Sequence, residues 1–375
     1  MARIVAEAAY KAGAKYVHID LSDSNLTRSR IKYSSHDNLS FLPSSNQSFQ
    51  NELLAHDWAR IRLDSTEEID ALKDSDPEGI EAVTRAYRIG RQQTQSHLMN
   101  DMHTWCVAAA PGPLWAARVL EQEPSVSCLQ DFWNMLRGVL RLDNENPIAA
   151  WEQHGENLLK RGRILNEMQL QSVHFHDPAG TDLSVGLTRR SRWKGGPAST
   201  PSGLRFQPNL PTEEVFTTPD FSTAEGTAAA TRPVKVMENM VHDARFVFKN
   251  GTVCEHDARI GKDSLDRYLD IDEGARKLGE VALVDTDSPI FQSGHVFNSI
   301  LFDENAACHI ALGAGYPSCL TDSQSLNSPQ AKQAAGCNTS MVHTDFMIGS
   351  PNTDVDGIDI HGKTRAIIRE GKFVL

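Results

Sequence analysis

The chain has 375 residues, 40% of them hydrophobic and 23% charged, with a formal net charge of -12. This is ordinary globular composition, long enough for a large core and two domains. The acidic balance argues against a nucleic-acid partner, which would need a basic face, and no run of about twenty apolar residues exists to span a membrane.

At the N-terminus, MARIVAEAAYKAGAKYVHID lacks the apolar length of a signal peptide. Ile4, Val5, Ala8 and Ala9 recur at helical spacing over residues 1–12, and Gly13 is suited to end that helix. Residues 14–23, AKYVHIDLSD, read as a strand. A parallel sheet normally opens on a strand, so a helix in first place reads as an α/β unit missing its first strand. Helices are expected over 79–99, 114–122, 130–140 and 146–162, with TWCVAAAPG as an apolar strand closed by Pro-Gly. Residues 1–164 are therefore read as an N-terminal α/β domain.

The pattern changes near residue 165. SVHFHDPAGTDLSVGL alternates around a Pro-Ala-Gly turn, and ARFVFKNGTVCEHDA carries Asn250-Gly251 where a type I′ hairpin turn needs it. EVALVD and HTDFMIG read as strands and KTRAIIREGKFVL as a terminal hairpin, with a helix expected over 261–279. Residues 165–375 are read as a β-rich α+β catalytic domain. The loop SRWKGGPASTPSGLRFQPNLP leads into TEEVFTTPD and is placed to shape a site entrance. Six scattered cysteines, none in a CxxC pair, argue against a disulfide scaffold and a thiolate zinc site and for a reducing, cytoplasmic setting.

Four segments carry candidate chemistry. NLPTEEVFTTPD holds Glu213 and Glu214 between prolines; LGEVALVD holds Glu280; LFDENAACHIALGAGYP holds Asp303, Glu304 and His309; VHTDF holds His343 and Asp345. Strand alternation puts His343 and Asp345 on one face and Thr344 on the other. Glu304 and His309 would lie about 140° apart on a helix, so their spacing alone does not pair them. A glutamate such as Glu280 at a helix end is ordinarily a surface residue, and His295 and His361 read as hydrogen-bonded structural histidines. Mixed carboxylate and imidazole donors suit zinc, cobalt or manganese, and several carboxylates together suit two ions bridged by a shared Glu or Asp. The residues alone point to a metallohydrolase.

These segments, together with FWNMLRGVLRLDNENPIAAWEQH and HDPAGTDLSVGL, resemble in order and separation the signature segments of the thermophilic metallo-aminopeptidases of the aminopeptidase T, AmpS and PepS type. The resemblance covers most of the chain. It implies a cytoplasmic, homodimeric exopeptidase acting on peptides with a free N-terminus, with two divalent ions (Zn²⁺, Co²⁺, Mn²⁺ or Mg²⁺) in the C-terminal domain. By position, Glu214 would bind one ion and Glu280 would bridge both, with His309, His343 and Asp345 completing the set. Glu304 would serve as ligand or general base, Glu280 being the other candidate base, and Tyr316 would point its phenol at the substrate. Spacing does not rank Glu213 against Glu214; the resemblance favours Glu214. Members of this family begin with a further helix and strand before the helix that opens this sequence. Two other readings are a non-catalytic metal-binding protein on the same fold and a metal-dependent hydrolase of another amide bond. The complete ligand set favours the peptidase. A phosphoesterase would need Arg or Gly-rich phosphate loops near the motifs, and none is present.

Overall fold

In the computed structural model, which describes residues 1–237 and 239–375, the expected helices of the first part form as Pro77–Met99, Pro113–Leu120, Val126–Val139 and Pro147–Glu167. Two of them open in the same way: Pro77 and Pro147 occupy the first turn while the side chains of Asp76 and Asn146 accept from backbone N–H groups of that turn. The strand Trp105–Ala109 pairs in parallel with Arg60–Asp64 and with Asn209–Leu210. Arg60–Asp64 was not legible beforehand, because RIRLD alternates charge with aliphatic residues on a half-exposed strand.

The strand expected over residues 14–23 does not form. A strand exists through ladder pairing and burial of one face. Here Tyr16, Ile19 and Leu21 are each more than half exposed, and the segment pairs with no described strand. The helix expected over 261–279 is likewise shorter. It runs from Lys262 to Leu269, and Asp272 then caps a separate 3₁₀ turn, Glu273–Arg276, by accepting from the Ala275 N–H.

Both predicted hairpins are present, Leu170–Asp177 with Thr181–Gly186 and Arg245–Lys249 with Thr252–Asp257. In the second, Asn250 and Gly251 have φ of 50° and 76°, the left-handed pair a type I′ turn requires. A side chain at Gly251 is excluded twice, since its Cβ would also stand 2.2 Å from the Phe221 carbonyl oxygen. These hairpins belong to an eight-stranded sheet that ends in the C-terminal hairpin, Thr364–Arg369 with Lys372–Phe373.

A second, four-stranded antiparallel sheet runs in the order His343–Met347, His309–Gly313, Leu278–Leu283, Val215–Thr217. The two sheets share one core, in which Val173, Phe175, Phe246 and Phe248 pack with Val281, Ile310, Leu312 and Phe346. Phe246 and Phe346 meet edge to face at 4.8 Å. A separate core joins the helical part to the segment 290–306: Trp115, Phe132 and Leu136 pack with Ile290, Phe297, Leu301 and Phe302. The buried Trp115 Nε1 donates to the Phe297 carbonyl at 2.6 Å, which seats that segment on the helices. Among the described residues, no helix is long and apolar enough to cross a membrane.

Candidate metal centre

One face of the four-stranded sheet is buried in the core; the other carries the polar residues. Paired residues on adjacent strands share a face. The register therefore aligns Glu280 with Ala311 and Ala311 with Asp345, Ala282 with His309, and Gly313 with His343. Ala311 occupies the middle of the Glu280–Ala311–Asp345 rung and leaves room for the acid on either side, while Ala282 stands beside His309. Glu214 lies one residue before the Val215–Thr217 strand, so alternation sends it to the same face as Phe216 and sends Glu213 and Val215 away.

The side chains converge accordingly. Glu214, Glu280 and His309 form one group of mutually close donor atoms, and Glu280, His343 and Asp345 form another, with Glu280 common to both. His309 Nε2 lies 3.2 Å from Glu214, and His343 Nε2 lies 3.3 Å from both Glu280 and Asp345. In each histidine Nδ1 faces a backbone carbonyl, Ala307 at 3.2 Å and Ala314 at 2.7 Å. A carbonyl only accepts, so Nδ1 carries a proton, and Nε2, which pairs with the carboxylates in the metal-free protein, is the nitrogen left to bind a cation. That is how a protein orients imidazole for a metal. Donor set, tautomers and burial all fit divalent cations.

Glu304 belongs to neither group yet faces both. It sits in a short 3₁₀ turn, buried, and lines the same cleft as Glu214, Glu280, His309, Asp345 and Tyr316. Glu304 and His309 are thus brought together by a turn followed by a strand, where a single helix would have kept them apart. The Tyr316 ring stands 5.0 Å from the His343 ring and 5.7 Å from Phe216. Lys194, Gly195, Gly196, Pro197, Pro208 and Asn209 form a wall, so the Gly/Pro-rich loop does shape the entrance. Leu98, Met99, Asp101 and Trp105, from the helical part, line the cleft as well, and none of them carried a motif to announce it.

The remaining candidates have other partners. Glu213 is bound by Arg141, whose Nη2 donates to Oε2 at 3.0 Å, while Nη1 lies 2.7 Å from Oε1 outside hydrogen-bond geometry. Asp303 accepts from the Phe297 and Ser299 N–H groups and so holds the loop before its own helix. His295 Nδ1 donates to the Val119 carbonyl at 3.1 Å, and His361 sits exposed in a turn.

Residues 1–373 match the profile described as thermophilic metalloprotease (M29). The chain belongs to the M29 thermophilic metalloprotease family. It is 35% identical to Aminopeptidase 2 of Geobacillus stearothermophilus and 37% identical to Aminopeptidase T of Thermus aquaticus, each alignment covering 100% of this chain and 90% of the relative. Its fold matches the structure of wild-type AmpT from Thermus thermophilus with a TM-score of 0.90 at 34% identity, over 100% of this chain and 90% of that one.

The electrostatics of this cluster show what cations would relieve. Burial, then the neighbouring Glu214 and Asp345, push Glu280 up to about 7 against the pull of His343. Burial and the charges of Asp345, Glu214 and Glu280 hold Glu304 well above the usual carboxylate range. Burial alone would lower His309, but Glu214, Asp345 and Glu280 raise it to about 9. Asp345 stays below its usual range despite burial, held there by His343 and His309. Without cations, then, protons neutralise the cluster.

A group whose folded pKa is raised binds protons more tightly in the folded state, so its contribution to stability fades as pH climbs through the folded value. For Glu280 that window runs from the unfolded carboxylate range to about 7, and for His309 from the usual imidazole range to about 9. Asp345 contributes equally across this range, because both its folded and unfolded values lie below it. The metal-free protein is therefore expected to melt at a lower temperature at pH 9 than at pH 6. Saturating divalent metal should flatten that difference. Thermal melts with and without chelator check this, and a metal-free melting point that rises from pH 6 to pH 9 would contradict the placement of the cluster.

Proposed function

We propose that the chain is a metal-dependent aminopeptidase in which Glu214, Glu280 and His309 hold one divalent ion and Glu280, His343 and Asp345 a second. The observation that carries this reading is that Glu280, buried in the lining of a cleft, is common to two groups of donor atoms. Two ions bound there supply Lewis-acid polarisation of the scissile carbonyl and a water of lowered pKa.

The chain's own residues do the rest. Glu280 and Glu304 are the carboxylates placed to take the proton of the attacking water and return it to the leaving amine. In the metal-free protein burial and the surrounding carboxylates hold the Tyr316 phenol well above its usual value, and it lines the cleft beside Glu280 and Glu304. Its hydroxyl is thus a donor for the carbonyl oxygen as negative charge develops there. A free α-amine has a carboxylate or a bound ion as its partner at the floor of the cleft, which favours cleavage at the first peptide bond over internal cleavage. The wall formed by residues 194–198 and 208–209 bounds the side on which the substrate enters.

The N-terminal α/β part, 1–164, contributes the wall that carries Leu98 and Trp105, and the β-rich part, 165–375, contributes the chemistry. A cytoplasmic homodimer completes the proposal, with six free cysteines supporting a reducing compartment. Release of free amino acid from peptides with a free N-terminus is expected on addition of Zn²⁺, Co²⁺ or Mn²⁺, and EDTA should abolish it. N-acetylated versions of the same peptides should resist. Equal cleavage of blocked and unblocked peptides would exclude an exopeptidase, and full activity in EDTA would exclude the metal.

A further inference from the structure

The segment FWNMLRGVLRLDNENPIAAWEQH, so prominent in the sequence, contributes no donor to the centre. It does contribute Arg141 and His154, and both reach residues 212–213. Arg141 leaves the end of helix Val126–Val139 with φ of 57° and lies over the Trp151 ring, 4.7 Å from its centroid. Its Nη2 donates to the buried Glu213 carboxylate at 3.0 Å and to His154 Nδ1 at 3.1 Å. With Nδ1 accepting, His154 carries its proton on Nε2 and donates it to the Thr212 carbonyl at 2.8 Å. From the opposite side, the fully buried Asn305 accepts from the Glu213 N–H at 2.6 Å. Asn305 Nδ2 also donates to the Leu301 carbonyl and, at 3.3 Å, to Glu304. Thr212 and Glu213 are thus held at a carbonyl, an N–H and a carboxylate. The next residue, Glu214, faces the other way, onto His309.

We propose that Arg141, His154 and Asn305 are positioning residues that grip Thr212–Glu213 and thereby hold Glu214 in register with His309 and Glu280. The geometry makes this grip selective. It acts on the group that contains Glu214, whereas His343 and Asp345 are fixed by their own strand and by the Ala314 carbonyl. The helical part thereby sets the affinity of one ion and leaves the other alone. Partners that orient metal ligands in this way ordinarily matter about 10–100-fold in metal affinity.

The inference rests on the two-ion reading above, and calorimetric titration of Zn²⁺ and Mn²⁺ into chelator-stripped protein separates the two. Wild-type protein is expected to take up two ions. Arg141→Met is expected to weaken one of them about 10–100-fold and leave the other within about threefold. Arg141→Lys, which keeps the charge but not the fork, should fall between. Because Arg141→Met leaves the buried Glu213 carboxylate with only His154 beside it, the double variant Arg141→Met/Glu213→Gln removes the uncompensated charge. Its metal-free melting point should be close to wild type while the single weakened ion remains. A merely structural role would lower the metal-free melting point and weaken both ions together, or weaken neither. Either result in the double variant overturns the clamp. A wild-type protein that takes up one ion overturns the two-ion reading, and the selective clamp with it.

Discussion

Replacing Glu280 by glutamine is expected to abolish peptidase activity and the uptake of both ions, while leaving the metal-free fold at least as stable as wild type. Glu280 is common to both donor groups, so no other single residue removes a donor from each. Glutamine keeps the volume and the strand register against Ala311 but loses the anion. Activity should fall by about a thousandfold or more, equivalent to about 4 kcal/mol on the barrier. Stability should move the other way. In the metal-free protein Glu280 is buried, and its burial and neighbouring carboxylates disfavour its charge. A neutral amide removes that repulsion, which is the trade between function and stability expected of an active site. Metal content by mass spectrometry, peptidase rate and a melt in chelator check the three parts. A variant that retained both ions would show that Glu280 is not the shared donor.

His343→Ala and Asp345→Ala should each remove activity, whereas Thr344→Val should change little. The first two share one sheet face, with His343 Nε2 3.3 Å from Asp345. Each supplies a donor to the group that shares Glu280, so a loss of about a thousandfold, again about 4 kcal/mol, is expected for either. Thr344 lies between them and points to the opposite face, where its hydroxyl meets Tyr268. Loss of that single hydrogen bond should cost about 1 kcal/mol or less. The Tyr268 hydroxyl keeps its own bond to the Leu312 carbonyl at 2.7 Å. The check is metal content beside peptidase rate for all three variants. Asp345→Ala with full metal content and near-wild-type rate would overturn the assignment of this strand.

Elements with strong local signals were legible in advance. The Asn250-Gly251 hairpin could be read because only a few residue pairs tolerate two consecutive left-handed conformations. The helices expected over 79–99 and 146–162 could be read because helical periodicity is a local signal, and the structure places them at Pro77–Met99 and Pro147–Glu167. His343 and Asp345 could be read as a pair because a strand repeats every second residue. Residues 14–23 misled for the converse reason. Their alternation is genuine, but alternation is a strand only where a neighbour offers a ladder, and none does here.

The sequence by itself determined the residue types of the centre and the local geometry of one pair, because those depend on side-chain chemistry and a period of two. Only the tertiary structure decided the rest. Glu214 and Glu213 are neighbours of the same chemistry, and nothing local separates them. What separates them is that one side of the chain at that point faces His309 and the other faces Arg141, some seventy residues earlier in the sequence. Glu304 and His309 meet because a 3₁₀ turn hands over to a strand between them, and Glu280 is shared because two strands on either side of Ala311 bring their acids to one rung. Such contacts join residues far apart in the chain, and they exist only once sheet register and burial choose which face each side chain takes.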